Sequence, residues 1–124
     1  MTASAAVRIK RIYEDPSDDD GVRVLVDRLW PRGVSRERAG LDEWMKDAAP
    51  SPELRKWWDH DPDRMDEFAR RYLAEISDHG NAPAADAVVT LRYLASRPGG
   101  LTLLYAATDP EINHAKVLRD HLVE

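Results

Sequence analysis

Three consecutive apolar β-formers, Val24-Leu25-Val26, run directly into Asp27-Arg28-Leu29-Trp30-Pro31-Arg32-Gly33. A strand that is apolar on both faces must be covered on both sides, which is the situation of a parallel strand between helices. Its abrupt polar end delivers an acid, two arginines and a tryptophan to the rim of such a sheet. Ligands of open parallel α/β folds bind there, beyond the carboxyl ends of the strands. The pattern predicts a strand over Val22 to Leu29, with Pro31 holding Trp30 extended and Gly33 permitting a turn.

The flanking sequence supplies the other layers. Val7 to Ile12 alternates apolar and basic residues and reads as a half-exposed strand. The acidic run to Gly21 that follows leaves either a compressed crossover or a hairpin to the next strand. Asp18-Asp19-Asp20 lacks the alternation of a calcium loop and reads as a solvated turn. Leu41, Trp44, Met45 and Ala48 have the spacing of a short amphipathic helix. Ser51-Pro52 and Asp61-Pro62 are helix starts, a capping side chain before a proline that needs no N–H. Met65, Phe68, Ala69, Tyr72, Leu73 and Ile76 recur at helical spacing, with a stop at His79-Gly80-Asn81. Ala84 to Ala95 forms a further helix, closed by Pro98-Gly99-Gly100. Leu101 to Ala107 is an apolar strand, and Asp109-Pro110 opens a last helix with Asp109 as its cap. Three strands are visible. The expected fold is α/β: a small, mostly parallel sheet of about three or four strands flanked by helices, rich in helix.

The 124 residues suit a single domain, 1–124, in which residues 1–6 are a weakly ordered N-terminus. A net charge of -5 gives no broad reason to bind nucleic acid or an anionic membrane. There is no cysteine, which removes disulfides, thiolate catalysis and cysteine-bound metals. Without a secretion signal or a stretch approaching the ~20 apolar residues of a membrane span, the chain reads as cytoplasmic.

Two segments bring chemistry to the strand ends. Asp27-Arg28 with Arg32 offers guanidinium forks that match carboxylate or phosphate. Thr108 to His114, after the last strand, adds an imidazole able to move a proton near neutrality. If the strands are neighbours, the segments face one crevice suited to a small anionic molecule. In that reading Arg28 and Arg32 bind charge, and Trp30 and Tyr105 wall the pocket. His114 transfers a proton, with Asp27, Asp109 and Asn113 orienting it. Plainer roles compete: Asp109 as a helix cap, His114 at the boundary of a core stripe. Trp57-Trp58-Asp59-His60-Asp61 alternates metal-capable groups, but Asp61 is spent as a cap and no third ligand converges, so no metal is expected. No nucleophile elbow and no phosphate-cradling glycine loop occurs, and no motif calls for a cofactor. The sequence therefore names no reaction; acid–base or hydrolytic chemistry is the class compatible with these residues. The alternative is a non-catalytic interaction or regulatory module, or a homodimer, built on the tryptophans from Trp44 to Trp58.

The motifs Asp27-Arg28-Leu29-Trp30-Pro31-Arg32-Gly33, Leu41-Asp42-Glu43-Trp44, Ala49-Pro50-Ser51-Pro52-Glu53-Leu54-Arg55-Lys56-Trp57, His60-Asp61-Pro62, Leu103 to Asp109 and Asn113-His114-Ala115 together resemble the DUF488 family, in its short YeaO-like branch. The match runs from about Ile9 to Leu122. The resemblance implies an α/β domain of unknown function. Longer members carry an Asp-Val-Arg-like strand end and a Cys-His-Arg-like segment, matched here by Asp27-Arg28 and Asn113-His114-Ala115. The cysteine and the final arginine of that pattern are missing, so thiol chemistry does not carry over.

Overall fold

The computed structural model describes residues 6–77 and 81–123; the expectations for residues 1–5 and for a helix stop at His79-Gly80 lie outside them. Strands β1 (Val7–Arg11), β2 (Val22–Leu25), β3 (Glu43–Trp44) and β4 (Leu101–Tyr105) form one sheet in the order β1-β4-β2-β3. Every pairing is parallel. With them, among the described residues, come α1 (Arg36–Ala39), α2 (Pro52–Trp58), α3 (Met65–Ser77), α4 (Ala82–Ala95) and α5 (His114–Leu122). The fold is α/β.

Strand parity divides the core. Val24 and Val26 pack with Leu101, Leu103 and Tyr105 against Trp58, Phe68, Tyr72, Leu91 and Leu118 of the helices. Leu25 and Leu104, one residue out of phase, join Ile12, Val34 and Ala39 in a smaller cluster. Successive side chains leave a strand on opposite faces, so α2 to α5 cover one face while α1, Trp30 and Trp44 close the other. The apolar centre of β2 has the two-sided cover its composition demands.

Several local expectations are corrected. The hairpin alternative fails because β4 lies between β1 and β2. Strand β2 stops at Leu25 rather than Leu29, although Val26 N still donates to Leu104 O at 3.1 Å. The helix expected around Trp44 is instead the edge strand β3 followed by one 3-10 turn, Lys46–Ala48. Asp42 N and Met45 N donate to Arg23 O and Leu25 O at 2.9 Å each, so the open edge of β2 captures this segment before it can coil. The last helix begins at His114, not at Asp109-Pro110: Asp109 Oδ1 accepts from Glu111 N and Ile112 N and closes only a turn. Asn113, extended at φ -153, is the true cap, accepting from Lys116 N at 2.8 Å. Asp20 is not solvated. It is buried, ion-paired with Arg23 and Lys10, and accepts from Ser17 N at 2.9 Å.

The opposite end of the sheet is pinned by backbone proximity. A Cβ on Gly21 would collide with Gly99 O and lie 2.5 Å from Gly100 O, and Gly21 has φ +63. Only glycine lets β2 and β4 start side by side there.

Candidate functional site

At the carboxyl ends of β2 and β4 the chain leaves a cavity of about 280 Å³, walled by Asp27, Arg28, Leu29 and Trp30 after β2, Ala106 and Ala107 after β4, and His114 at the head of α5. Arg55, Trp58 and His60, from α2 and the turn after it, close the wall together with Pro31 and Ala49. Adjacency of β2 and β4 in the sheet is what brings the first two groups together.

Asp27 is held at one oxygen. Its Oδ2 accepts from Ala106 N at 3.0 Å, which bridges the two strand ends. Its Oδ1 lies 3.3 Å from His114 Nε2. That nitrogen is also 3.0 Å from Val26 O, and a carbonyl can only accept, so Nε2 carries the proton. The proton is directed at the carbonyl, and Asp27 Oδ1 is left buried with no hydrogen-bond partner. Burial raises the Asp27 carboxyl above its ordinary value, against the pull of His114 and the Ala106 N–H. Burial likewise lowers His114, against the pull of Asp27 and the Val26 carbonyl. The pair is thus biased toward its uncharged forms and titrates as a unit.

A column of rings runs from one wall of the cavity back to the other. His60 lies 4.5 Å from Trp58 between centroids, Trp58 stacks on Phe68 at 3.8 Å, Phe68 meets Tyr72 at 5.7 Å, and Tyr72 meets His114 edge-on at 6.1 Å. The Tyr72 hydroxyl donates to Ala48 O, and burial pushes its ionisation far up. Trp58 Nε1, by contrast, is buried without a partner. Among the described residues, Asp27 Oδ1 and Trp58 Nε1 are the buried side-chain polar atoms left unpaired, and both residues wall this cavity.

The cationic side comes from Arg28 and Arg55. Arg28 donates to Pro50 O at 3.4 Å and to Ala49 O at 3.3 Å, both at the long, weak end of the range. Arg55 is exposed, and its charge lowers the pKa of both Asp27 and His114. Among the described residues no cluster of three potential ligands could hold a metal ion.

The structure therefore places Asp27, Arg28, Trp30 and His114 on one cavity, and four other residues singled out in the sequence elsewhere. Arg32 is exposed beyond it: Pro31 is buried and the chain turns at Gly33 (φ +78), leaving the Arg32 carbonyl to accept from Tyr13 Oη at 3.1 Å. Tyr105 lies in the helix-side core because it shares strand parity with Leu101 and Leu103. Asn113 is fully buried and committed to backbone, its Nδ2 donating to Asp109 O at 2.9 Å. Asp109 borders a neighbouring cavity instead. The tryptophans do not form one surface. Trp30 and Trp44 pair edge-on at 5.3 Å on one face of the sheet, while Trp57 and Trp58 pack on the other. Arg36 covers the first pair, and Arg71 lies 4.2 Å over Trp57.

Sequence reasoning left Arg55, Trp58 and His60 out of the strand-end site, weighing the last two only as part of a metal-capable cluster or a tryptophan surface. One signal was available: Trp57-Trp58-Asp59-His60-Asp61 masses aromatic and titratable side chains at a helix end. In the structure Asp59 (φ 48) and His60 (φ 54) are consecutive left-handed residues, and neither is glycine. Strain of this kind collects at functional sites.

The family model described as the inactive DUF488-N3 subclade matches residues 6–124. The uncharacterized protein Rv3073c of Mycobacterium tuberculosis is 43% identical over 118 residues, covering 95% of this chain and 94% of its own. The uncharacterized protein YeaO of Escherichia coli is 40% identical over 116 residues, covering 94% and 96%. No solved structure matches.

Proposed function

Since the chain belongs to the DUF488 family, in the subclade described as inactive, we propose that its strand-end cavity binds a small anionic molecule without turning it over. The observation that carries this reading is the pair of orphaned buried atoms on residues that wall the cavity, the Trp58 Nε1 donor and Asp27 Oδ1, which becomes a donor when the carboxyl is protonated. Unpaired buried polar groups cost about 1–3 kcal/mol each, and a ligand that pairs them recovers that free energy. Arg28 and Arg55 outweigh the one carboxylate in formal charge, and the long Arg28 bonds are easily exchanged for an oxyanion. Asp27 fits an anion site because burial favours its protonated form, which donates from Oδ1 to the ligand.

The cavity wall has no thiol, hydroxyl or primary amine; of its carboxyl and imidazole groups, burial biases Asp27 toward its protonated form and His114 Nε2 faces Val26 O, which supports binding over turnover. Its volume lies just below the ~300 Å³ lower bound typical of small-molecule pockets, room for about nine water-sized groups at ~30 Å³ each, which suits a small molecule. The test is titration of phosphate, sulfate and short carboxylates into the protein, followed by calorimetry and by the Trp58 indole N–H resonance. An anion should move that resonance, and Arg55→Ala, at an exposed site, should weaken binding about tenfold or more while leaving the melting temperature in place. Silence of the indole resonance with every anion removes the reading.

A further inference from the structure

A second cavity of about 290 Å³ adjoins the first, walled by His60, Ala107, Thr108, Asp109 and Ile112. His60 and Ala107 belong to both walls. The two spaces are nearly equal in volume and opposite in charge. The first holds Arg28 and Arg55 against Asp27, whereas the one carboxylate facing the second is Asp109. Nearby Glu111 is neutralised by its ion pair with Lys116. Arg11, which donates to Ala107 O at 2.9 Å and to Ala106 O at 3.4 Å, lines neither space. Asp109 is fixed in place through Oδ1, which accepts from two backbone amides, and Oδ2 retains its capacity to accept. Thr108 lines the same wall.

Resting on the anion-site reading above, we propose that the two cavities form one groove and that its ligand is bipolar: an acidic head between Arg28 and Arg55, and a protonated amine at Asp109. The ligand class is then a short amino acid or similar zwitterion whose charges are separated by a spacer crossing His60. The left-handed pair Asp59-His60 sets that partition, holding the imidazole 4.5 Å from the Trp58 ring. His60 is thus a specificity-determining residue that fixes the charge separation the groove accepts.

The experiment pairs a ladder of ω-amino acids, from β-alanine to ε-aminohexanoate, with the straight-chain carboxylates of the same lengths. Affinity is read by calorimetry and by the Trp58 indole resonance. One length of amino acid should bind about tenfold more tightly than its carboxylate counterpart, the gain of one charged hydrogen bond. Asp109→Asn keeps a capping side chain in the turn and should remove that gain while leaving carboxylate binding unchanged. His60→Ala should flatten the length preference. If carboxylates move the indole resonance but no amino acid exceeds its counterpart, or if the gain survives Asp109→Asn, the bipolar groove is wrong and the anion site stands. If no carboxylate moves the resonance, both fail.

Discussion

Asp27 has two oxygens with different environments. Oδ2 is bonded to Ala106 N, while Oδ1 is buried and unpaired. Because burial raises its folded-state pKa, the fold binds a proton at Asp27 more readily than the unfolded chain does. The stability this contributes is present below the unfolded value and lost as pH rises through the folded one. Asp27→Asn should therefore melt higher than wild type at neutral pH, with the difference shrinking on acidification, as differential scanning calorimetry across pH would show. His114 works in the opposite sense. Its lowered pKa means that acidification below the ordinary imidazole value of 6.5 costs stability, because the unfolded chain takes up the proton first. His114→Gln should flatten that limb of the profile. Binding has its own pH signature. Protonated Asp27 donates to the anion, so affinity should rise as acidification protonates that carboxyl, and calorimetry in buffers of different ionisation enthalpy should register proton uptake. Affinity that instead falls on mild acidification would contradict this role for Asp27.

The elements are fixed by caps that also position the site. Ser51 caps α2 by accepting from Leu54 N at 3.1 Å, and both its amide and its hydroxyl donate to Glu75 of α3, at 2.9 and 2.5 Å. This clamp aligns the helix that presents Arg55 and Trp58. Asn113 does the same for α5 and sets where His114 stands. Asn113→Ala should cost about 1–2 kcal/mol in chemical denaturation and weaken anion binding by displacing His114, while Asn113→Asp, which still caps, should recover most of both. The outer edge of β1 is blunted in similar fashion: Arg119 Nε donates to Val7 O at 3.1 Å and Arg11 N to Glu14 Oε2 at 3.0 Å. Side chains thus occupy backbone groups that another chain would otherwise pair with.

For the whole molecule, the sheet is covered unequally. Most of the core lies under α2 to α5, and the ring column from His60 to His114 runs through that thick side. Phe68, fully buried in the middle of the column, joins stability to the site. Phe68→Ala should cost about 3–5 kcal/mol and loosen both cavity walls together. At the other end of the sheet Gly21→Ala should cost about 2 kcal/mol or more, since positive φ and backbone collision both oppose it, yet leave anion affinity unchanged. A large change in affinity would show that the two ends of the sheet are mechanically coupled. Among the described residues no helix is long and apolar enough to cross a membrane.

The fold class was legible because Val24-Leu25-Val26 records two-sided burial and Met65 to Ile76 records one-sided burial, and periodicity is a local property of the chain. The strand-end location was legible in Asp27-Arg28 and His114 for the same reason: polar residues interrupt apolar runs at a place the parallel architecture defines. The family was legible in its motifs. The tertiary structure decided the rest. Trp44 became strand because β2 had an open edge, and a two-residue strand has no period to read. Arg55, Trp58 and His60 entered the cavity, and Arg32, Tyr105, Asn113 and Asp109 took other places, because helix packing and strand parity chose among chemically equivalent side chains. Convergence of residues drawn from Asp27 to His114 depends on how elements dock, and no local pattern carries that information.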